Sequence, residues 1–235
     1  MIDDPKQCPT SGDFALNLEN LIGQENITTV IETGGYIGLG STTIIANALK
    51  AQKDTMFLSI EVSPECIEDA KINLQRLELD HKVRHINALS IPRSLEPEPA
   101  DIEELVVGHV NELREMGIAV EVEFDEIDRT MYYYLESAHH ADVPDDGLKT
   151  AFTILKKHQR RPELILLDSA GHLGFIEFQY LISLLRNTCY IALDDVFHIK
   201  HIDTFCAMKG DPRFDIRALG MEKNGYLIAK FTPRG

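Results

Sequence analysis

The chain has 235 residues, is 44% hydrophobic and 26% charged, and carries 38 acidic against 23 basic side chains for a formal net charge of -15. That length suits one domain with a sizeable core, spanning 1–235, and the acidity excludes a nucleic-acid or anionic-membrane surface as the partner, which leaves a small molecule. Cys8, Cys66, Cys189 and Cys206 lie far apart without a CxxC, and neither a signal peptide nor an apolar run of membrane length is present, which predicts a cytoplasmic location.

In chain order, residues 13–23 predict a short helix, and Thr28 to Thr33 form a β-branched run typical of a buried parallel strand. Gly34, Gly35, Tyr36, Gly38 and Gly40 follow as a turn that lets backbone approach a ligand closely, and Ser41 and Thr42 open a helix over 41–51. No register of these glycines supplies the G-x-G-x-x-G spacing of a dinucleotide site, and no Gly-Lys-Ser ending supplies a P-loop. Glu32, which closes the strand region, repels a phosphate but suits a positive amino group or sulfonium. The combination favours S-adenosylmethionine, with Glu32, Thr33, Gly34, Gly35, Tyr36, Gly38, Ser41 and Thr42 as candidate contacts.

The next strand, 55–61, ends in Glu61 followed by Val62, where an acid can accept hydrogen bonds from ribose hydroxyls. Pro64 starts a helix over 64–77 with Ser63 as its cap. A strand over 83–87 ends in Asn87, followed by Ala88, and these two are placed near the adenine. The alternation of strand and helix predicts a parallel sheet.

From 93 to 161 the alternation stops. Residues 101–116 have helical spacing with an acidic face, residues 120–124 could form a strand, and another helix is expected near 148–158. We read the segment as a lid-like insertion. Tyr132, Tyr133 and Tyr134 cannot all face one core on a helix, so substrate contact and a homodimer interface are both open readings.

The sheet resumes with 163–168, ending in Asp168, and with 188–195, ending in Asp194 and Asp195. Three carboxylates at neighbouring strand ends repel one another unless a cation neutralises them, which makes Mg²⁺ or another divalent ion a candidate on Asp168, Asp194 and Asp195. In the alternative, metal-independent reading one of the latter two only caps the following loop. Lys200 and His201 are placed on a solvated helix running to Met208, with binding of an anionic substrate as the other option. Residues 214–219 and 226–231, joined by a turn with Asn224-Gly225, predict a terminal hairpin.

Two blocks, Glu32-Thr-Gly-Gly-Tyr-Ile-Gly-Leu-Gly-Ser-Thr42 with Ile60-Glu-Val-Ser-Pro-Glu-Cys66, and Leu166-Leu-Asp-Ser-Ala-Gly-His172 with Ala192-Leu-Asp-Asp-Val196, resemble class I S-adenosylmethionine-dependent methyltransferases. Within that class the chain looks most like catechol-type and bacterial sugar-type small-molecule O-methyltransferases. The resemblance implies a Rossmann-like, doubly wound α/β sheet of seven strands with a C-terminal antiparallel hairpin and helices on both faces. It also implies methyl transfer to a small hydroxylated molecule, with a divalent ion on an Asp and an Asp-Asn pair, and a catalytic lysine three residues beyond the first Asp. Here those positions hold Asp195 in place of Asn and Gly171 in place of lysine. His172, in a segment similar to the sugar-type Asp-Gly-x-His, becomes the candidate general base beside Asp168. A non-catalytic S-adenosylmethionine-binding protein of the same fold, and a nicotinamide-dependent oxidoreductase, are the competing readings.

Overall fold

A computed structural model describes residues 11–118 and 123–234. Among them seven strands form one sheet. The first half is built from α1 (Asp13–Gln24), β1 (Thr29–Thr33), α2 (Ser41–Ala48), β2 (Met56–Glu61), α3 (Pro64–Arg76) and β3 (Val83–Asn87). The second half comprises α6 (Gly147–Lys157), β4 (Leu164–Leu167), α7 (Gly174–Leu184), β5 (Cys189–Asp194), α8 (Ile202–Gly210), β6 (Phe214–Gly220) and β7 (Tyr226–Phe231). Between the halves stand α4 (Pro99–Glu115) and α5 (Glu123–His139).

The pairings β3-β2-β1-β4-β5 are parallel, and β7 enters antiparallel between β5 and β6. Every residue of β1, β4 and β5 is buried, as a parallel strand covered on both faces requires. Alternation divides the core. Val30, Phe57 and Leu164 point to the layer that holds Phe14, Leu18 and Ile22 of α1, whereas Ile31, Leu58 and Ile165 point to the opposite layer. Helix α3 starts as its sequence demands, with Pro64 in the first turn and the Ser63 hydroxyl accepting the Cys66 amide at 3.1 Å.

The inserted segment is more deeply seated than a solvated arm. Ile102, Val106, Val110 and Leu113 of α4 recur at helical spacing and are almost wholly buried in the same core layer as Ile31. Helix α6 completes the crossover from β3 to β4 and packs Leu148, Ala151 and Leu155 into that layer, so only α4 and α5 lie outside the regular alternation. The strand expected at 120–124 falls largely on residues outside those described, while Glu123 and Phe124 begin α5. Cys8 is likewise outside the described residues, and Cys66, Cys189 and Cys206 are free thiols. Among the described residues no helix is long and apolar enough to cross a membrane.

Candidate active site

A cavity of about 760 Å³ opens beyond the carboxyl ends of β1, β2, β4 and β5. This is where an open α/β sheet offers a crevice. One side is the glycine turn: Gly34, Gly35, Tyr36, Gly38 and Ser41 line it, with Glu61, Val62 and Ala88 beside them. Gly34 adopts φ +70°, and a Cβ there would overlap the backbone carbonyl of Asp168. Only glycine lets β1 pass this close to the end of β4.

Glu32 does not line this cavity. It is fully buried beneath the turn, where its carboxylate accepts hydrogen bonds from the hydroxyls of Ser41 at 2.6 Å, Thr42 at 2.7 Å and Ser59 at 2.9 Å. Burial pushes its carboxyl above the usual range, and the three hydroxyls oppose that rise. There it ties β1, β2 and α2 together, and Thr42 belongs to the same network. Thr33 is similarly internal: its hydroxyl donates to Glu177 at 3.0 Å, which also accepts from the Ser169 hydroxyl at 2.7 Å. Asn87 is another brace. Its amide donates to the carbonyls of Glu61 and Val62 at 3.1 and 2.9 Å, which fixes the end of β2 instead of facing the cavity.

Glu61 is placed differently. It lines the cavity, and its two oxygens accept the backbone amides of Tyr36 at 2.8 Å and Ser63 at 2.9 Å. The same carboxylate thereby fastens the glycine turn to the start of α3 and stands at the cavity wall.

Opposite, Asp168, Asp194 and Asp195 bring carboxylate oxygens within 4.8 Å of one another. Into this cluster reaches Lys200, whose Nζ lies 2.5 Å from Asp168 Oδ1 and 2.8 Å from Asp195 Oδ2. The solvated helix expected to carry Lys200 and His201 begins only at Ile202. The turns before it fold both residues inward, with Lys200 9% and His201 0% exposed. Burial, with added repulsion from Asp194 and Asp195, holds Asp168 well above the usual carboxyl range against the pull of Lys200. Burial acts on Asp195 in the same sense but is outweighed by the Lys200 and His198 charges and by hydrogen bonds from Lys200 and Asn224, so its carboxyl stays ionised to unusually low pH.

Asp195 adopts φ +58°, a conformation that Asp and Asn tolerate better than most side chains. Its Oδ1 accepts the Asn224 amide at 3.0 Å, and the Phe197 amide donates to the Asn224 carbonyl at 2.6 Å. The turn of the terminal hairpin thus forms part of the cavity wall, together with Lys223.

His172, the expected base, is 1% exposed and absent from the cavity lining. Burial lowers its pKa from 6.5 to about 4, neither ring nitrogen has a hydrogen-bond partner among the described residues, and Tyr134 packs edge-on against it at 5.7 Å. Of the adjacent tyrosines, Tyr132 lines the cavity while Tyr134 packs against the core, and Tyr133 lies outside the described side chains.

No protein-family model matches the chain. Nor does any curated protein match it. Solved structures do. An O-methyltransferase from Bacillus cereus in complex with SAH aligns at 14% identity and TM-score 0.56, over 95% of this chain and 83% of that one. The O-methyltransferase TomG from Streptomyces achromogenes, involved in tomaymycin synthesis and in complex with SAM, aligns at 13% identity and TM-score 0.54, over 93% and 79%. The SAH-bound Podospora anserina methyltransferase PaMTH1 aligns at 14% identity and TM-score 0.54, over 99% and 83%. The fold is that of the class I methyltransferases.

Sequence reasoning missed Asn224 as a cavity residue and Glu177 as a brace, whereas Tyr132 and Lys200 line the cavity, as one of the two readings open for each allowed. For Glu32 a signal was present: Ser41, Thr42 and Ser59, three hydroxyls on two facing elements, are what a buried carboxylate needs.

Proposed function

We propose that the chain is an S-adenosylmethionine-dependent methyltransferase that methylates an oxygen of a small hydroxylated molecule. The observation that carries this reading is a single cavity shared by two sets of groups. A glycine turn fastened to Glu61 lies on one side, and the cluster of Asp168, Asp195 and Lys200 lies on the other.

The residues fit the cofactor. The approach of Gly34 to Asp168 leaves backbone against which a ligand can lie, Glu61 can accept from ribose hydroxyls, and the acidic surroundings suit a cationic donor. When bound, S-adenosylmethionine supplies an activated methyl group for displacement by an acceptor oxygen. The three strand-end carboxylates fit a divalent metal poorly, because Lys200 already bonds Asp168 and Asp195.

Methyl transfer demands mainly that donor and acceptor be held in line. Tyr132 of α5 and the Asn224 turn wall the acceptor half of the cavity, and the Asp168 carboxylate, which lines the same cavity, receives the proton that the hydroxyl gives up. This assignment takes over the role expected of His172.

Calorimetry with S-adenosylmethionine and S-adenosylhomocysteine tests cofactor binding, and release of S-adenosylhomocysteine across a panel of phenols, catechols and sugars tests turnover. Micromolar cofactor binding with turnover on at least one hydroxylated acceptor is expected. Absence of cofactor binding overturns the assignment, and binding without turnover on any acceptor favours a non-catalytic protein of the same fold.

A further inference from the structure

Three carboxylates converging at adjacent strand ends require a compensating charge. Lys200 supplies one from an element that lies 32 residues beyond Asp168. Its placement is enforced rather than accidental. Gly174, at the start of α7, sits where a Cβ would overlap the Lys200 carbonyl, and the next residue, His201, is fully buried and bonds the Leu167 carbonyl at 3.2 Å and the Thr204 hydroxyl at 3.3 Å. The ammonium is therefore delivered to the carboxylates by a segment locked against β4 and α7.

A hard divalent ion binds by surrounding itself with several oxygens at roughly 2.0–2.6 Å. Here Asp168 Oδ1 and Asp195 Oδ2 already face the ammonium at 2.5 and 2.8 Å. An ion seated among the same oxygens would also lie beside a positive charge of fixed position. An ammonium carries three N–H donors, and these two bonds leave one on a side chain that lines the cavity.

We infer that Lys200 is the built-in cation of this site: it takes the place of a divalent metal by neutralising Asp168 and Asp195, and it presents its remaining N–H to the acceptor oxygen, so that methyl transfer proceeds without metal. The inference rests on the methyltransferase reading for its catalytic half, whereas its electrostatic half stands on the carboxylate cluster alone.

Mn²⁺ titration of the full chain followed by electron paramagnetic resonance tests the electrostatic half. The wild-type protein is expected to bind no stoichiometric Mn²⁺ at micromolar concentration. Lys200→Met, which leaves all three carboxylates in place, is expected to gain a Mn²⁺ site at least about tenfold tighter than any in the wild type, and adding Asp168→Asn is expected to abolish it. A stoichiometric micromolar site in the wild type that Asp168→Asn removes would overturn the inference, and this measurement stands even if Lys200→Met does not fold.

For the catalytic half, turnover is expected to be indifferent to EDTA. Lys200→Met is expected to lower kcat by about 100-fold, as loss of a donor to a developing oxyanion does, and Lys200→Arg to recover part of it. Loss of turnover in EDTA, restored by Mg²⁺, would overturn the inference. Failure of S-adenosylmethionine to bind would instead strike the methyltransferase reading and leave the Mn²⁺ result to be judged by itself.

Discussion

The Glu32 carboxylate and the Ser59 hydroxyl lie 2.9 Å apart in a fully buried position beneath the glycine turn, joining the ends of two paired strands. Because Ser41 and Thr42 donate to the same carboxylate, Glu32→Ala strands the buried hydroxyls of Ser41 and Ser59 and leaves Thr42 only the Gly35 carbonyl at 3.3 Å. Unfolding free energy in urea is expected to fall by about 1–3 kcal/mol, with a weaker grip on the cofactor as the turn loosens. Unchanged stability would show that the network carries little.

Glu61 faces the cavity and also holds the Tyr36 and Ser63 amides. Glu61→Ala therefore removes both a carboxylate from the cavity wall, the proposed ribose contact, and the fastening of the turn. Hydrogen bonds to a charged group are worth about 1.5–3 kcal/mol, so the Kd for S-adenosylmethionine is expected to rise roughly 10- to 100-fold. Calorimetry reads this directly, and a wild-type Kd would remove Glu61 from the cofactor site.

Tyr132 is 53% exposed yet lines the cavity, on the side proposed here for the acceptor. Truncation to alanine is expected to raise KM for the acceptor about tenfold while leaving the Kd for S-adenosylmethionine unchanged, the pattern of a contact made to one ligand only. Equal effects on both would mean that Tyr132 orders the whole lid.

His172 contributes to stability through pH. Its folded pKa of about 4 lies below the ordinary 6.5, so the unfolded chain takes up the proton first. The stability present above pH 6.5 is lost as pH falls towards 4. His172→Leu, which needs no proton and fills the same apolar site, is expected to retain on the order of 2–3 kcal/mol more stability than the wild type at pH 4 than at pH 7. Parallel urea melts of the two proteins across this range would contradict that. The pH profile of turnover is expected to be the same in both, since the imidazole does not reach the cavity.

The sheet was legible because its signals are local. The β-branched run of β1, the acid closing β2, the apolar runs of β4 and β5 and the Asn224-Gly225 turn each announce an element within a few residues. The site was legible only in part, and Glu32 shows why. An acid near a strand end reads alike in sequence whether it points into a crevice or beneath a turn, and only the three-dimensional meeting with Ser59 decides between them. Lys200 was hidden by a boundary: helical spacing continued back from Met208 makes it a surface residue, whereas α8 begins at Ile202 and frees the preceding turns to point the lysine inward. Helix ends are set by tertiary contacts more than by propensity.

The antiparallel insertion of β7 between β5 and β6 has a consequence for biosynthesis. β5 is made well before Tyr226–Phe231, yet one of its edges pairs only with that late strand. Until those residues leave the ribosome, a largely apolar strand keeps a row of unsatisfied amides and carbonyls, the kind of edge that recruits other chains. The Asn224 amide, which must meet Asp195, arrives with the same segment. Nascent chains that stall before the hairpin closes are thus both catalytically incomplete and exposed to self-association, which makes this stretch of translation the interval in which chaperone protection matters most.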